Sequence, residues 1–393
     1  MLNAKPLLLS LVCLFCFIGF DHEVGAQNRS TNLSKALENP KEVQELALGG
    51  ARYQELPDSL ASLVNLRILS VTNAKLQTLP PSIGALSALE ELKLNSNHIQ
   101  QLPAEIGQLK QLRVLNLFRN NLSSLPPEIA GCTSLEELNL YSNQFYGLPP
   151  VIGELAELRK LQLFFNRLES LPEELGQLTN LEELMISSNK IKTLPASLGG
   201  LKNLSWLEAT DNQIEALPAS IGDCQNLHTL NLNRNALKSL PSSLGNLSAL
   251  ASLQVNENPL QFIPGELTQC AALVRLELED GQLATLPEDL RGWENLETLK
   301  LGKNQLKALP VSIGQCKKLN NLEVYYNELT DLPATLADLP NLETLSIAYN
   351  QFEEIPPVLF KMTQLRTLVL LGNNFAEEDL RELQLALPNT RIR

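Results

Sequence analysis

This chain of 393 residues is poor in histidine: His22 lies near the N-terminus, and His98 and His228 stand far apart. That leaves no Ser–His–acid or Cys–His set for nucleophilic catalysis and no zinc site. Basic residues are in deficit, with 31 Lys and Arg against 44 Asp and Glu and a formal net charge of −13. Nucleic acid and anionic membrane both call for a basic surface, so neither is expected as a main partner. The glycines recur singly, without a phosphate-binding loop or a dinucleotide fingerprint, and no cofactor is expected. Aromatic residues make up 5% of a chain that is 44% hydrophobic. The apolar content is therefore largely leucine, which suits a long repetitive core.

A membrane-spanning segment is also missing. The one long apolar run, Leu7 to Phe20, has 14 residues, short of the roughly 20 that cross a bilayer as a helix. A short n-region carrying Lys5 leads into it. The polar DHEVGAQ follows, with Val24 and Ala26 at the −3 and −1 places of a small-residue cleavage site before Gln27. Residues 1–26 thus read as an export signal, and the expected location is secreted, periplasmic or cell-surface, with no membrane insertion after cleavage. Cys13 and Cys16 follow Val12 and Phe15 instead of a small residue, which argues against a lipid anchor. An unprocessed N-terminus would instead make the chain an intracellular scaffold.

What the sequence does contain is one theme. The segment LEELKLNSNHIQQLPAEIGQLKQ (89–111) gives the template L-x-x-L-x-L-x-x-N-x-I/L-x-x-L-P-x-x-I/L-G-x-L-x-x. Its first position recurs at Val43, Leu66, Leu89, Leu112 and onward to Leu365, always in steps of 23 residues, without an insertion or deletion. Fifteen units over 43–387 leave no room for a second domain. This spacing resembles the leucine-rich repeat family in its 23-residue LPxxIGxL class, similar to the repeats of plant intracellular, Ras-scaffold and exported bacterial members. The resemblance implies an α/β repeat solenoid, a horseshoe with a parallel β-sheet on the concave side and short tighter segments on the convex side.

The template can also be read physically. Positions 3 to 7 alternate, so 4 and 6 point inward and 3, 5 and 7 outward. Position 9 is Asn in twelve units, from Asn97 to Asn373, with Ala51, Ala74 and Gly281 the exceptions. An amide offers donors and an acceptor, so stacked Asn can satisfy the backbone where the chain leaves the strand. Pro at position 15, from Pro57 to Pro356, stops the strand. Both ends depart from the template, as solenoid ends must. Within the expected cap 27–42, Leu33, Ala36 and Leu37 share one helix face behind candidate N-caps. In AEEDLRELQLAL, Leu380, Leu383 and Leu387 do the same, and 388–393 end the second cap. Both caps are expected to cover the core and blunt the sheet edges.

Cys132, Cys224, Cys270 and Cys316 occupy position 21, usually leucine, and read as small core hydrophobes two or more repeats apart, beyond disulfide reach. Glu277, Glu279 and Asp280 are the one enzymatic temptation, since a carboxylate pair serves glycoside hydrolysis and clusters attract calcium. Lys300, Glu323 and Lys303 hold matching positions on later repeats, so salt ladders are the preferred reading, as for Glu137, Lys160 and Glu183. Asn121, Asn203 and Asn246 are glycosylation sequons.

Variable outward positions are what a repeat protein can use to discriminate. At position 7, Phe118, Tyr141 and Phe164 follow one another on consecutive repeats and should face water. Phe165, Met185 and Trp206 continue the row diagonally, and Arg119, Lys160 and Arg167 border it. Rings with arginine at the margin have the composition of an interface hot spot; the competing reading is that they only stack to stabilise the sheet. Tyr325, Tyr326 and Tyr349 form a smaller cluster. Between the two, Glu208, Asp211, Glu257, Glu277, Glu279 and Asp280 make an acidic stretch suited to a basic segment of a partner. The expectation is a non-enzymatic protein that binds a protein or peptide on its concave face. A surface adhesin that stacks glycans on its rings is the alternative.

Overall fold

The computed structural model describes residues 28–50 and 53–393. Residues 1–26, read above as an export signal, with Cys13, Cys16 and His22 among them, and Ala51 lie outside the described residues. Seventeen strands, numbered in chain order from β1 (Arg29–Ser30) to β17 (Arg391–Ile392), form one parallel sheet. Each pairs with the next, from β2 (Glu45–Ala47) to β16 (Thr367–Val369) at a step of one repeat, as Leu115 of β5 (Val114–Asn116) pairs with Leu138 of β6 (Glu137–Asn139). Leucines at positions 1, 4 and 6 of the template are buried along the whole coil, forming one continuous core. Truncating one of them, such as Leu184, would cost about 2–5 kcal/mol.

Proline ends each strand-side arc. Pro103, at φ −70° and ψ 152°, turns the chain into the 3₁₀ segment Ala104–Gln108, whose Ile106 is buried. A 3₁₀ turn is wider than a strand, so the coils fan out there and the sheet closes on the inside. Stacking is tight all the same: a Cβ on Gly107 would run into the Glu128 carbonyl of the next coil.

The asparagine row does the work expected of it. The Asn97 Oδ1 accepts from the backbone N–H of Ala74 and Leu76, both at 3.0 Å, and its Nδ2 donates to the carbonyls of Val71 and Leu94 at 2.6 and 2.8 Å. Asn120, Asn143 and Asn166 repeat the bond accepted from the preceding coil and both donated bonds, one coil at a time. Where Gly281 interrupts the row, the Leu260 N–H donates to the Asn258 carbonyl at 2.7 Å instead.

Both caps form. Helix α1 (Leu33–Glu38) is capped by Asn32, which accepts from the Lys35 N–H at 3.0 Å, and buries Leu33 and Ala36. Helix α2 (Glu377–Ala386) covers the other end, with Leu383 and Leu387 buried. The flanking strands β1 and β17, two residues each, extend the sheet past the repeats. Short edges carrying Arg29 and Arg391 blunt further pairing. The four position-21 cysteines are buried and free. Burial pushes each thiol up to about 11, and Cys132 donates to the Ile106 carbonyl at 3.2 Å. Trp293 takes the same position and donates from Nε1 to the Leu267 carbonyl at 3.1 Å.

Candidate binding face

The rings of the N-terminal half lie together on the concave face. Phe118 and Tyr141 stack with centroids 4.6 Å apart, Tyr141 meets Phe164 edge-on at 6.0 Å, and Phe165 tilts against Tyr141 at 5.4 Å. The expectation that all three position-7 rings stand in water needs correction. Phe118 and Tyr141 are half-buried, and Phe164 is 9% exposed, yet Phe164 does not belong to the leucine core. Neighbours on the face itself shield it. Met185 is likewise 8% exposed, its sulfur accepting from the Gln162 amide at 3.6 Å. The accessible part of the row is Phe165, at 50%, and Trp206 of β9 (Trp206–Glu208), at 39%. Trp206 makes no ring contact with the others among the described residues; it shares a register row with Glu183 and Thr229.

Position 8 has a property that its residue types conceal. Its backbone is left-handed in every repeat, at φ 53° in Arg119, 50° in Phe165, 52° in Tyr326 and 53° in Tyr349, with Gly50 and Gly372 in the first and last. An L-residue there costs about 1–2 kcal/mol, so large rings at Phe165, Tyr326 and Tyr349 run against local preference. The turn swings each of these side chains to the margin of the sheet. Arg119 lies over the Phe118 ring at 5.0 Å, and its side chain makes no hydrogen bond among the described residues. Arg167 lies over Tyr146 and donates to its hydroxyl at 3.0 Å. Sequence reading passed over Tyr146 because the template leaves its position free; the arginine placed one repeat later was the available signal.

The second cluster is built differently. Tyr326 and Tyr349 stack at 4.2 Å, nearly parallel, and Tyr325 meets Tyr326 edge-on at 6.1 Å. Gly302 and Gly372 leave room for rings, Tyr325 leaning over the first and Tyr349 over the second. The Tyr325 hydroxyl thereby reaches back two strands and donates to the Glu279 carboxylate at 2.9 Å. Burial and this bond raise the Tyr325 phenol above its ordinary range, and desolvation raises Glu279 despite the bond.

The intervening carboxylates are mostly engaged. Glu277 accepts from Arg275 at 2.8 Å and Asn256 at 3.0 Å, with Lys300 at 3.7 Å. Asp280 pairs with Lys303 at 3.1 Å, Glu257 with Arg234 at 2.9 Å, and Lys160 with Glu183 at 2.8 Å. The salt ladders therefore exist. Outside the concave face, position 2 adds Arg67–Glu90, Arg113–Glu136 and Arg159–Glu182. Among the described residues no three His, Cys, Asp or Glu side chains gather as a metal set.

A single-sheet solenoid with a variable concave face defines a class of binding scaffolds. Profiles described as leucine-rich repeat region, leucine rich repeat and leucine rich repeats (2 copies) match residues 46–168, 156–214 and 340–389. A leucine-rich repeat protein of Leptospira interrogans is 34% identical, with a TM-score of 0.80, over 93% of this chain and 100% of that one. The plant peptide hormone receptor RGFR1, in complex with RGF2, is 25% identical at TM-score 0.62, over 90% of this chain and 70% of that one. An internalin of Listeria monocytogenes, 19% identical at TM-score 0.64 over 91% and 88%, shares the fold. No curated protein matched. The chain belongs to the leucine-rich repeat family, whose fold is typically a protein-interaction scaffold. No helix among the described residues is long and apolar enough to cross a membrane.

Proposed function

We propose that the chain is an exported binding protein that holds an extended segment of another protein on its concave face and performs no chemistry there. The observation that carries this reading is the contiguous row of rings whose accessible members, Phe165 and Trp206, stand on an outward surface. Leucine already fills the core, so rings in solvent need another reason, and a large apolar patch normally marks a contact. Tyr325, Tyr326 and Tyr349, about seven strand spacings or roughly 34 Å along the sheet from Phe165, offer a second contact for a longer ligand. The receptor RGFR1, of similar fold, is known in complex with RGF2, which supports the peptide class.

The test is selection of a randomised displayed peptide library on the immobilised protein, with a glycan array run in parallel. Enriched peptides should bind the native chain and lose more than about tenfold in affinity on Phe165→Ala with Trp206→Ala. Glycan binding without peptide enrichment, or peptides indifferent to that double variant, would overturn the reading. N-terminal sequencing of the exported protein should begin at Gln27.

A further inference from the structure

The row at position 8 runs Arg119, Ser142, Phe165, Ser188, Asp211 on five consecutive coils. All five are left-handed, at φ 53°, 56°, 50°, 55° and 58°, so each side chain leaves the margin of the sheet in the same way. The exposed ring is at the middle of this row, a cation is at one end and an anion at the other. Among the described residues Arg119 has no side-chain hydrogen bond or ion pair, only the contact with the Phe118 ring. The Asp211 carboxylate accepts, among the described residues, only from the Ser188 hydroxyl, at 3.1 Å. Beside it, Glu208 is bonded by Ser187, Thr210 and Asn231, all neutral.

This sets the row apart from most of the concave face, where Glu137 and Glu279 are the other carboxylates outside an ion pair among the described residues. Glu183, Glu257, Glu277, Asp280 and Glu323 each have a lysine or arginine in pairing range, and among the described residues Asp211 and Glu208 have none. Arg167 and Lys190 lie two positions further along their own coils and pair with neither carboxylate. Opposite charges held apart, with an apolar anchor between them, have no use for a neutral glycan. Nucleic acid would be repelled at Asp211 and Glu208.

Resting on the docking reading above, we infer that the ligand is an extended peptide lying across the strands, with an apolar side chain at Phe165, an acidic one at Arg119 and a basic one at Asp211. Two strand spacings separate Phe165 from each end, about 10 Å, and an extended chain in the polyproline II conformation covers that in about three residues, with every third side chain returned to the same face. The pattern is acidic, two spacers, apolar, two spacers, basic, read in either chain direction.

The experiment uses labelled synthetic peptides with one apolar centre, taken from the library selection, and four sets of ends: acidic–basic, acidic–acidic, basic–basic and uncharged. Fluorescence anisotropy is read on the native chain, Arg119→Glu and Asp211→Lys. Both variants suit the site, because Glu257 and Lys303 already occupy position 8 with φ 55° and 57°. The native chain should favour the acidic–basic peptide by about fivefold over either like-charged one. Arg119→Glu should move the preference to basic–basic, and Asp211→Lys to acidic–acidic. Equal affinities for all four peptides, each still lost on Phe165→Ala with Trp206→Ala, would overturn this inference and leave the docking reading standing. If no peptide binds the native chain, both fall.

Discussion

The two aromatic clusters occupy the same template positions, 7 and 8, and differ in what surrounds them. Beside Tyr325, Tyr326 and Tyr349 the concave-face carboxylates are bonded within the chain: Glu279 by the Tyr325 hydroxyl, Asp280 by Lys303, and Glu323 with Lys300 in range. Around Phe165, Arg119 and Asp211 have no charged partner, and Phe165 has no polar atom to satisfy. The comparison teaches that composition alone does not separate a surface that stabilises its own sheet from one left open to another molecule. Partnering does.

The largest effect tests what the two regions share. Asn166 under the stripe and Asn327 under the tyrosines each donate to three carbonyls and accept one buried N–H. Replacing either by Ala should cost about 3 kcal/mol in urea unfolding; a clear inequality would mean that the clusters above them contribute to the ladder. A smaller loss isolates the tyrosine side. Tyr325→Phe removes a bond to a charged carboxylate and should cost about 1.5 kcal/mol in the same measurement, without altering binding of peptides selected on the stripe.

Smaller still is the consequence of the left-handed turn. Phe165→Asn relieves its backbone strain and should leave stability equal or higher by up to about 1 kcal/mol while peptide binding falls. Tyr349→Asn gains the same relief but loses the stack on Tyr326, about 0.5–1.5 kcal/mol, so its melting temperature should lie below that of Phe165→Asn. The reverse order would erase the distinction between the clusters. The smallest effect is a pH dependence. Desolvation raises Glu279 above its ordinary value, so the folded state holds its proton to higher pH than the unfolded chain does. The associated stability is present below the ordinary carboxylate range and is lost as pH rises through the raised value. Glu279→Gln should therefore melt closer to the native chain, or above it, at neutral pH and fall behind as pH drops. Parallel melting curves at every pH would contradict the assignment.

Leucine phase made the strands, the inward rows, the asparagine ladder, the buried cysteines and the salt ladders legible, because each depends on backbone register alone. Legibility ended where geometry depends on side-chain direction or on an unfavoured backbone. Phe164 and Met185 share the outward register of their neighbours and are nevertheless covered by them. The left-handed turn at Arg119, Phe165 and Tyr349 carries no compositional mark, since those residue types disfavour it, and glycine betrays it only at Gly50 and Gly372. Strands β1 and β17 are two residues long and lack the leucine pattern altogether. The bond from Tyr325 to Glu279 spans two coils and depends on a bare glycine between them.

A main chain that repeats every 23 residues without interruption provides no landmark. Slide the molecule along its own axis by one coil and nearly each backbone atom finds an equivalent seat. Any visitor must take its reading frame from side chains alone, and one wrong step would set its anchor opposite serine in place of phenylalanine.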